Sequence, residues 1–178
     1  MHILITAPHA CSIENAAHVC DILANTCAMS LRTYLEAQGH QVSSIVNPST
    51  TRDRLDVNRV EGRDHPYRRA IDQLLPLVDL LIDVHSFPPN EPRFRGHDIV
   101  VFNMPSAFDD HFVKALAMSL HNYGIKTLLY DGSPENDTVA AALEHGKMAV
   151  LLEFNEASTF RGGAIAMSIL LAAREALT

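Results

Sequence analysis

The chain has 178 residues, 14 Lys and Arg against 21 Asp and Glu, and 47% apolar residues. A chain of this length buries about 70% of its unfolded surface, which excludes disorder as its main state. Its net charge of −7 argues against a nucleic-acid or anionic-membrane binder, because such partners are held by surplus Lys and Arg.

The N-terminus, MHILITAPHA, lacks a basic region, and its apolar run is too short for a signal peptide or a membrane span. Apolar strand-length runs then alternate with amphipathic helix-length stretches. This predicts an α/β fold with a mixed, mainly parallel sheet flanked by helices, as one domain over 1–178. The strands are expected at Ile3–Thr6, Gln41–Val46, Leu80–Val84, Ile99–Phe102, Thr127–Tyr130 and Ala149–Phe154. Ala16, Val19, Cys20, Leu23, Cys27, Leu31 and Leu35 form a helical stripe closed by Gly39. Later helices are expected at Tyr67–Val78, Ser106–Tyr123, Pro134–His145 and Gly163–Leu177, with Ser133-Pro134 as cap and first-turn proline of the third of these. Cys11, Cys20 and Cys27 cannot all pair within the chain, so a reduced, cytoplasmic setting is expected.

His9 follows the first strand and His85 ends the apolar run LLIDVHSF. Ligand sites in open α/β sheets lie beyond the carboxyl ends of strands, so the two imidazoles can converge there. Glu14, at the start of the following helix, can complete a His, Glu, His set with a fourth position open, the pattern of a catalytic zinc. A helix-dipole role is the plainer reading of Glu14.

Glu153 closes the apolar strand MAVLLEFNE, where a carboxylate is costly unless paired or employed. It is either a structural partner, for example of Arg161, or a general acid and base near the two histidines. Residues 52–95 hold eight of the eleven arginines. Within TRDRLDVNR, Arg52, Asp56, Asn58 and Arg59 are either a solvated loop of Asp–Arg pairs or groups facing the site. In the second case Arg52 would stabilise an oxyanion while Asn58 and Arg59 grip a substrate carboxylate.

Read in order, His9 with a nearby acid, Arg52, Asn58-Arg59, His85-Ser86 and Glu153 resemble the zinc carboxypeptidase superfamily. Within it, the Pro8-His9 opening, LDVNR and LLIDVHSF are similar to the N-formylglutamate amidohydrolase family. The resemblance implies a phosphorylase/hydrolase-like fold and one zinc ion on His9, Glu14 and His85. It also implies Glu153 as base and acid, Arg52 at the oxyanion, and Asn58 with Arg59 at a carboxylate. The gap His-x-x-x-x-Glu departs from the peptidase His-x-x-Glu, which leaves Asp21 as the alternative ligand.

The expected activity is cleavage of an N-acyl, for instance N-formyl, amide bond next to a carboxylate in a small N-acyl amino acid or short peptide. Neither nucleic acid nor membrane is an expected partner. A carboxypeptidase-like or γ-glutamyl peptidase using the same centre, and a non-catalytic anion-binding domain, are the alternatives. A nucleotide-binding domain is disfavoured, because PHACSIE stands where a glycine-rich phosphate loop would be.

Overall fold

The computed structural model describes residues 1–10, 20–47, 54–104, 110–131 and 135–178. Its strands are β1 (His2–Ala7), β2 (Gln41–Val46), β3 (Leu80–Phe87), β4 (Ile99–Asn103), β5 (Thr127–Asp131) and β6 (Met148–Asn155). All six lie where the apolar runs predict them. The helices are α1 (Ala24–Ala37), α2 (Pro66–Leu74), α3 (Asp110–Asn122), α4 (Asp137–Glu144) and α5 (Gly162–Ala176).

The strands form one sheet in the order β2-β1-β3-β6-β4-β5, in which only the β4–β6 pair is antiparallel. This is the expected mixed, mainly parallel α/β architecture. The chain runs from β1 outward to β2, then returns past β1 to β3. The crevice beyond the carboxyl ends of β1 and β3 is therefore a topological switch point, where open α/β sheets place ligands.

Alternation along the strands divides the core in two. Ile3, Ile5, Leu80, Ile82, Val84, Val150 and Leu152 pack against α1, α3 and α5. Leu4, Leu81, Val100, Phe102, Ala149 and Leu151 meet α2 and α4. Because successive side chains point to opposite faces, Thr6, Asp83, His85 and Glu153 share the second face. That face is apolar at one end of the strands and polar at the other.

Several helix boundaries differ from expectation, each for a local reason. Residues 20–23 are not helical, and α1 begins at Ala24. Asp21 instead accepts from the Ala24 backbone N–H, while its own N–H donates to the His9 carbonyl. Cys20 is disulfide-bonded, so it is not the reduced thiol on a helical core face that its spacing suggests. Cys27 is free and buried in that core, and burial pushes its thiol up to about 12. Gly39, at φ 82°, ends α1 as predicted.

After α2 the chain tightens into a 3-10 turn, Leu75–Leu77, around Pro76, which has no N–H for continuing the helix. Asn136 caps α4 by accepting from the Val139 N–H at 2.8 Å. The expected Ser133-Pro134 cap, and the first residues of the helix expected from Ser106, lie outside the described residues. Among the described residues, no helix is long and apolar enough to cross a membrane.

Gly62 holds the loop that leads to the site. A Cβ there would stand 2.6 Å from the Val57 Cα and 2.7 Å from the Asp56 carbonyl oxygen, so only glycine lets residues 56–62 close on themselves. Gly62→Ala is expected to cost about 1–3 kcal/mol by overpacking. A thermal melt lowered by several degrees, with loss of the site assembled from Asp56 and Asn58, is the predicted observation. An unchanged melting temperature would show that the loop yields without cost.

Candidate metal centre and its cleft

The polar end of the second sheet face gathers three potential ligands. His9 Nδ1 lies 3.3 Å from His85 Nδ1, His85 Nδ1 lies 2.9 Å from Asp21 Oδ2, and His9 Nδ1 lies 3.6 Å from the same oxygen. All three residues are buried, and their ligand atoms form a compact group able to hold a metal ion. The separations bracket the roughly 3.3 Å edge of a tetrahedron whose metal–ligand bonds are about 2.0–2.1 Å.

Each imidazole is backed by a carboxylate. His9 Nε2 donates to Asp56 Oδ1 at 2.8 Å, and His85 Nε2 donates to Asp83 Oδ2 at 2.9 Å. With an ion bound, Nε2 would keep its proton in both rings and both Nδ1 atoms would face the same point. Carboxylate–histidine pairs of this kind orient metal ligands and raise their basicity. The donor set, one carboxylate and two imidazoles, suits a borderline divalent ion.

Asp83 organises this arrangement. It is fully buried, and it accepts from Thr6 Oγ1 at 2.6 Å, Asn136 Nδ2 at 2.7 Å, Asn58 Nδ2 at 3.0 Å and His85 Nε2. Burial works against its charge, but the neighbouring His85 and these hydrogen bonds hold its carboxyl below the usual range. Asp21 is treated similarly: burial opposes its ionisation, and the hydrogen bonds with His85 and His9 overrule it. His85, between the two acids, has its pKa raised well above the ordinary value despite burial, chiefly by the charge of Asp83 and the hydrogen bond to Asp21.

The backbone positions the ligands. Thr6 and Asp83 are register partners on β1 and β3, and His85 and Glu153 are partners on β3 and β6. Asn47 Nδ2 holds the Pro8 carbonyl at 2.7 Å, just before His9. Ser86 points to the opposite face, where its hydroxyl donates to Glu156 at 2.9 Å and accepts from the Leu23 N–H. Glu156 also takes the Ile22 N–H, so the turn carrying Asp21 is fastened on both sides.

A cleft of about 170 Å³ opens over the centre, lined on its polar side by His9, His85, Asp56, Arg59 and Glu153. The structure thus brings together His9, His85, Asn58, Arg59 and Glu153 from the expected set. Glu14 and Arg52 lie outside the described residues. Asp21, the alternative ligand, completes the group among the described residues.

Asn58 is buried beneath the histidines, with its amide donating to Asp83 and its Oδ1 accepting from the Thr138 N–H at 3.4 Å. That geometry makes it a support for His85. Arg59 donates through Nε to Asp56 at 3.2 Å and through Nη1 to the carbonyl and carboxylate of Glu135. Arg161, considered as a partner for Glu153, instead reaches the Gly124 carbonyl. Asp83 carried a legible signal, being an acid inside an apolar strand two residues before His85. Asn136 and Glu156 carried none.

No family model matches the chain, and no curated protein matches it in sequence. Several solved structures resemble it, three of them as follows. Gene product Atu2144 from Agrobacterium tumefaciens gives a TM-score of 0.64 at 16% identity, over 98% of this chain and 90% of that one. A bacteriophage poly-gamma-glutamate hydrolase gives 0.63 at 15%, over 97% and 83%. The N-formylglutamate amidohydrolase from Ralstonia eutropha JMP134 gives 0.56 at 13%, over 98% and 92%. The chain therefore has the α/β fold found in these three structures.

Asp83→Asn places an amide where four donors converge and withdraws the acceptor from His85. Metal affinity is expected to fall about 10–100-fold, measured by competition with a chromogenic chelator. Unchanged affinity in a folded variant would remove Asp83 from the support of the centre.

Proposed function

We propose that the chain is a zinc-dependent amidohydrolase that cleaves an N-acyl amide bond next to a substrate carboxylate. The observation that carries this reading is the His9, Asp21 and His85 group, with both imidazoles backed by carboxylates and Glu153 in the same cleft. Two of the structures it resembles bear the names of hydrolases, one of them an amidohydrolase. N-formyl and other N-acyl amino acids, or short peptides, are the proposed substrates.

In this mechanism His9, Asp21 and His85 hold the ion, with Asp21 in the place that residue order alone offers to Glu14. A zinc ion there supplies Lewis acidity, polarising a carbonyl and acidifying water. Glu153 takes a proton from the attacking water as the new C–O bond forms. It then delivers that proton to the nitrogen as the C–N bond breaks, giving a carboxylic acid and an amine that exchange a proton to end as carboxylate and ammonium. Arg52 is assigned to the developing oxyanion by its position in the motif order. Arg59, which motif order offers for a substrate carboxylate, lines the cleft bound to Asp56 and Glu135, and Asn58 keeps His85 and Asp83 in place.

One observation favours a longer substrate over a free acyl amino acid. A second, more open hollow of about 410 Å³ adjoins the cleft, and the two share Arg59, Glu135 and Asn136. A peptide or γ-glutamyl chain would extend into it from the centre.

Metal analysis of untagged protein is expected to find one zinc per chain, lost on His85→Ala. Glu153→Gln is expected to keep that zinc while kcat on N-acyl amino acids and short peptides falls about 10²–10⁴-fold. Undiminished zinc-dependent turnover by a folded Glu153→Gln variant would remove Glu153 from the chemistry. A zinc-loaded wild type without turnover on the whole panel would favour the non-catalytic, anion-binding alternative.

A further inference from the structure

We propose that Arg93, on the connection between β3 and β4, is the anion-binding residue of the cleft and selects a ligand whose carboxylate ends a short apolar stem. The inference rests on the reading of this cleft as the substrate site. It deepens that reading by assigning the carboxylate to a guanidinium other than Arg59.

Arg93 is held on two sides. Its Nε donates to Glu91 Oε1 at 2.7 Å, and its Cζ lies 5.0 Å from the centre of the Phe94 ring. Phe94 is itself locked, meeting Phe87, Phe102 and Tyr130 edge to face at 5.1, 5.8 and 5.6 Å between ring centroids. Glu91 and the Phe94 ring thus restrain a guanidinium whose side chain is otherwise exposed, which lowers the entropic cost of binding a ligand. Its Nη1 and Nη2 hydrogen-bond to nothing among the described residues. Arg93 lines the same cleft as the two histidines and Glu153.

Arg59 is differently placed. Its Nε is bound to Asp56 and its Nη1 to Glu135, so an anion approaching it must displace a carboxylate already there. Moving it also disturbs Asp56, the acceptor for His9 Nε2. Arg93 carries one carboxylate, Glu91 on Nε, where Arg59 carries two, and it presents the planar fork that suits a carboxylate.

The rest of the lining defines the ligand. Asp56, Glu135 and Glu153 make the cleft repulsive to anions unless a guanidinium offsets them. Phe94, Phe102 and Leu151 form its apolar part, next to Arg93 in sequence or stacked against its platform. A carboxylate on an apolar stem fits both features, with the stem over the rings and the charge at the fork.

The probe is 3-phenylpropanoate, which has no amide to cleave, compared by calorimetry with neutral 3-phenylpropanol on the zinc-loaded protein. The wild type is expected to prefer the carboxylate at least tenfold. Arg93→Gln should reduce that preference to within twofold, Arg93→Lys should keep part of it, and Arg59→Gln should keep most of it. Zinc content should be unchanged in both Arg93 variants. A carboxylate preference that survives Arg93→Gln, or a wild type with none, overturns the proposal. Neither result touches the amidohydrolase reading, which stands or falls on zinc content and turnover.

Discussion

The buried carboxylate of Asp83 is the constraint on which the centre depends. A charge enclosed in the middle of a sheet is tolerated only when its lone pairs are filled, and here Thr6, Asn58, Asn136 and His85 fill them. These donors come from β1, the loop after β2, the N-terminus of α4 and β3 itself. One carboxylate thereby ties four separate pieces of chain to a single point. Removing it would strand several buried donors at about 1–3 kcal/mol each, so the strain of an incomplete network falls on the histidine that needs to be rigid.

Asp56 plays the corresponding part on the other side of the centre, less buried and more connected to the cleft. It accepts from His9, from the Asn58 N–H and from Arg59. Asp83 is the structural anchor of one imidazole, whereas Asp56 links the other to the charged lining of the cleft. The two rings thus each meet a carboxylate through Nε2 while sitting in different electrostatic surroundings. Rigidity on the β3 side and exchangeable ion pairs on the Arg59 side are what a site needs when one wall holds an ion and the other meets a ligand.

Much of this was legible along the chain, and the misses have physical causes. All six strands follow from apolar runs, because alternation and β-branched content report burial directly. His9, His85 and Glu153 stand at strand ends, so their convergence follows from parallel topology. Cys20 to Leu23 continue the helical spacing yet precede α1. The contacts of Asp21 with His85 and the Ala24 N–H hold this stretch in a turn. Asn58 reads in sequence as a ligand-gripping amide, yet its side chain turns inward once Asp83 is present as a buried acceptor.

By itself the sequence determined the class of fold, the edge of the sheet where the candidate site lies and the residue types collected there. Those features depend on local periodicity and on the order of elements, both of which are properties of the chain read in one dimension. Only the tertiary structure decided that Asp21 sits with the histidines, that Asp83 and Asp56 back their Nε2 atoms, and that Arg93 pairs with Glu91 while Arg59 is shared by Asp56 and Glu135. These are matters of which side chain reaches a given acceptor across 25 to 80 residues of chain. Such contests are settled by distance and desolvation in the folded state, and spacing along the chain leaves no record of them.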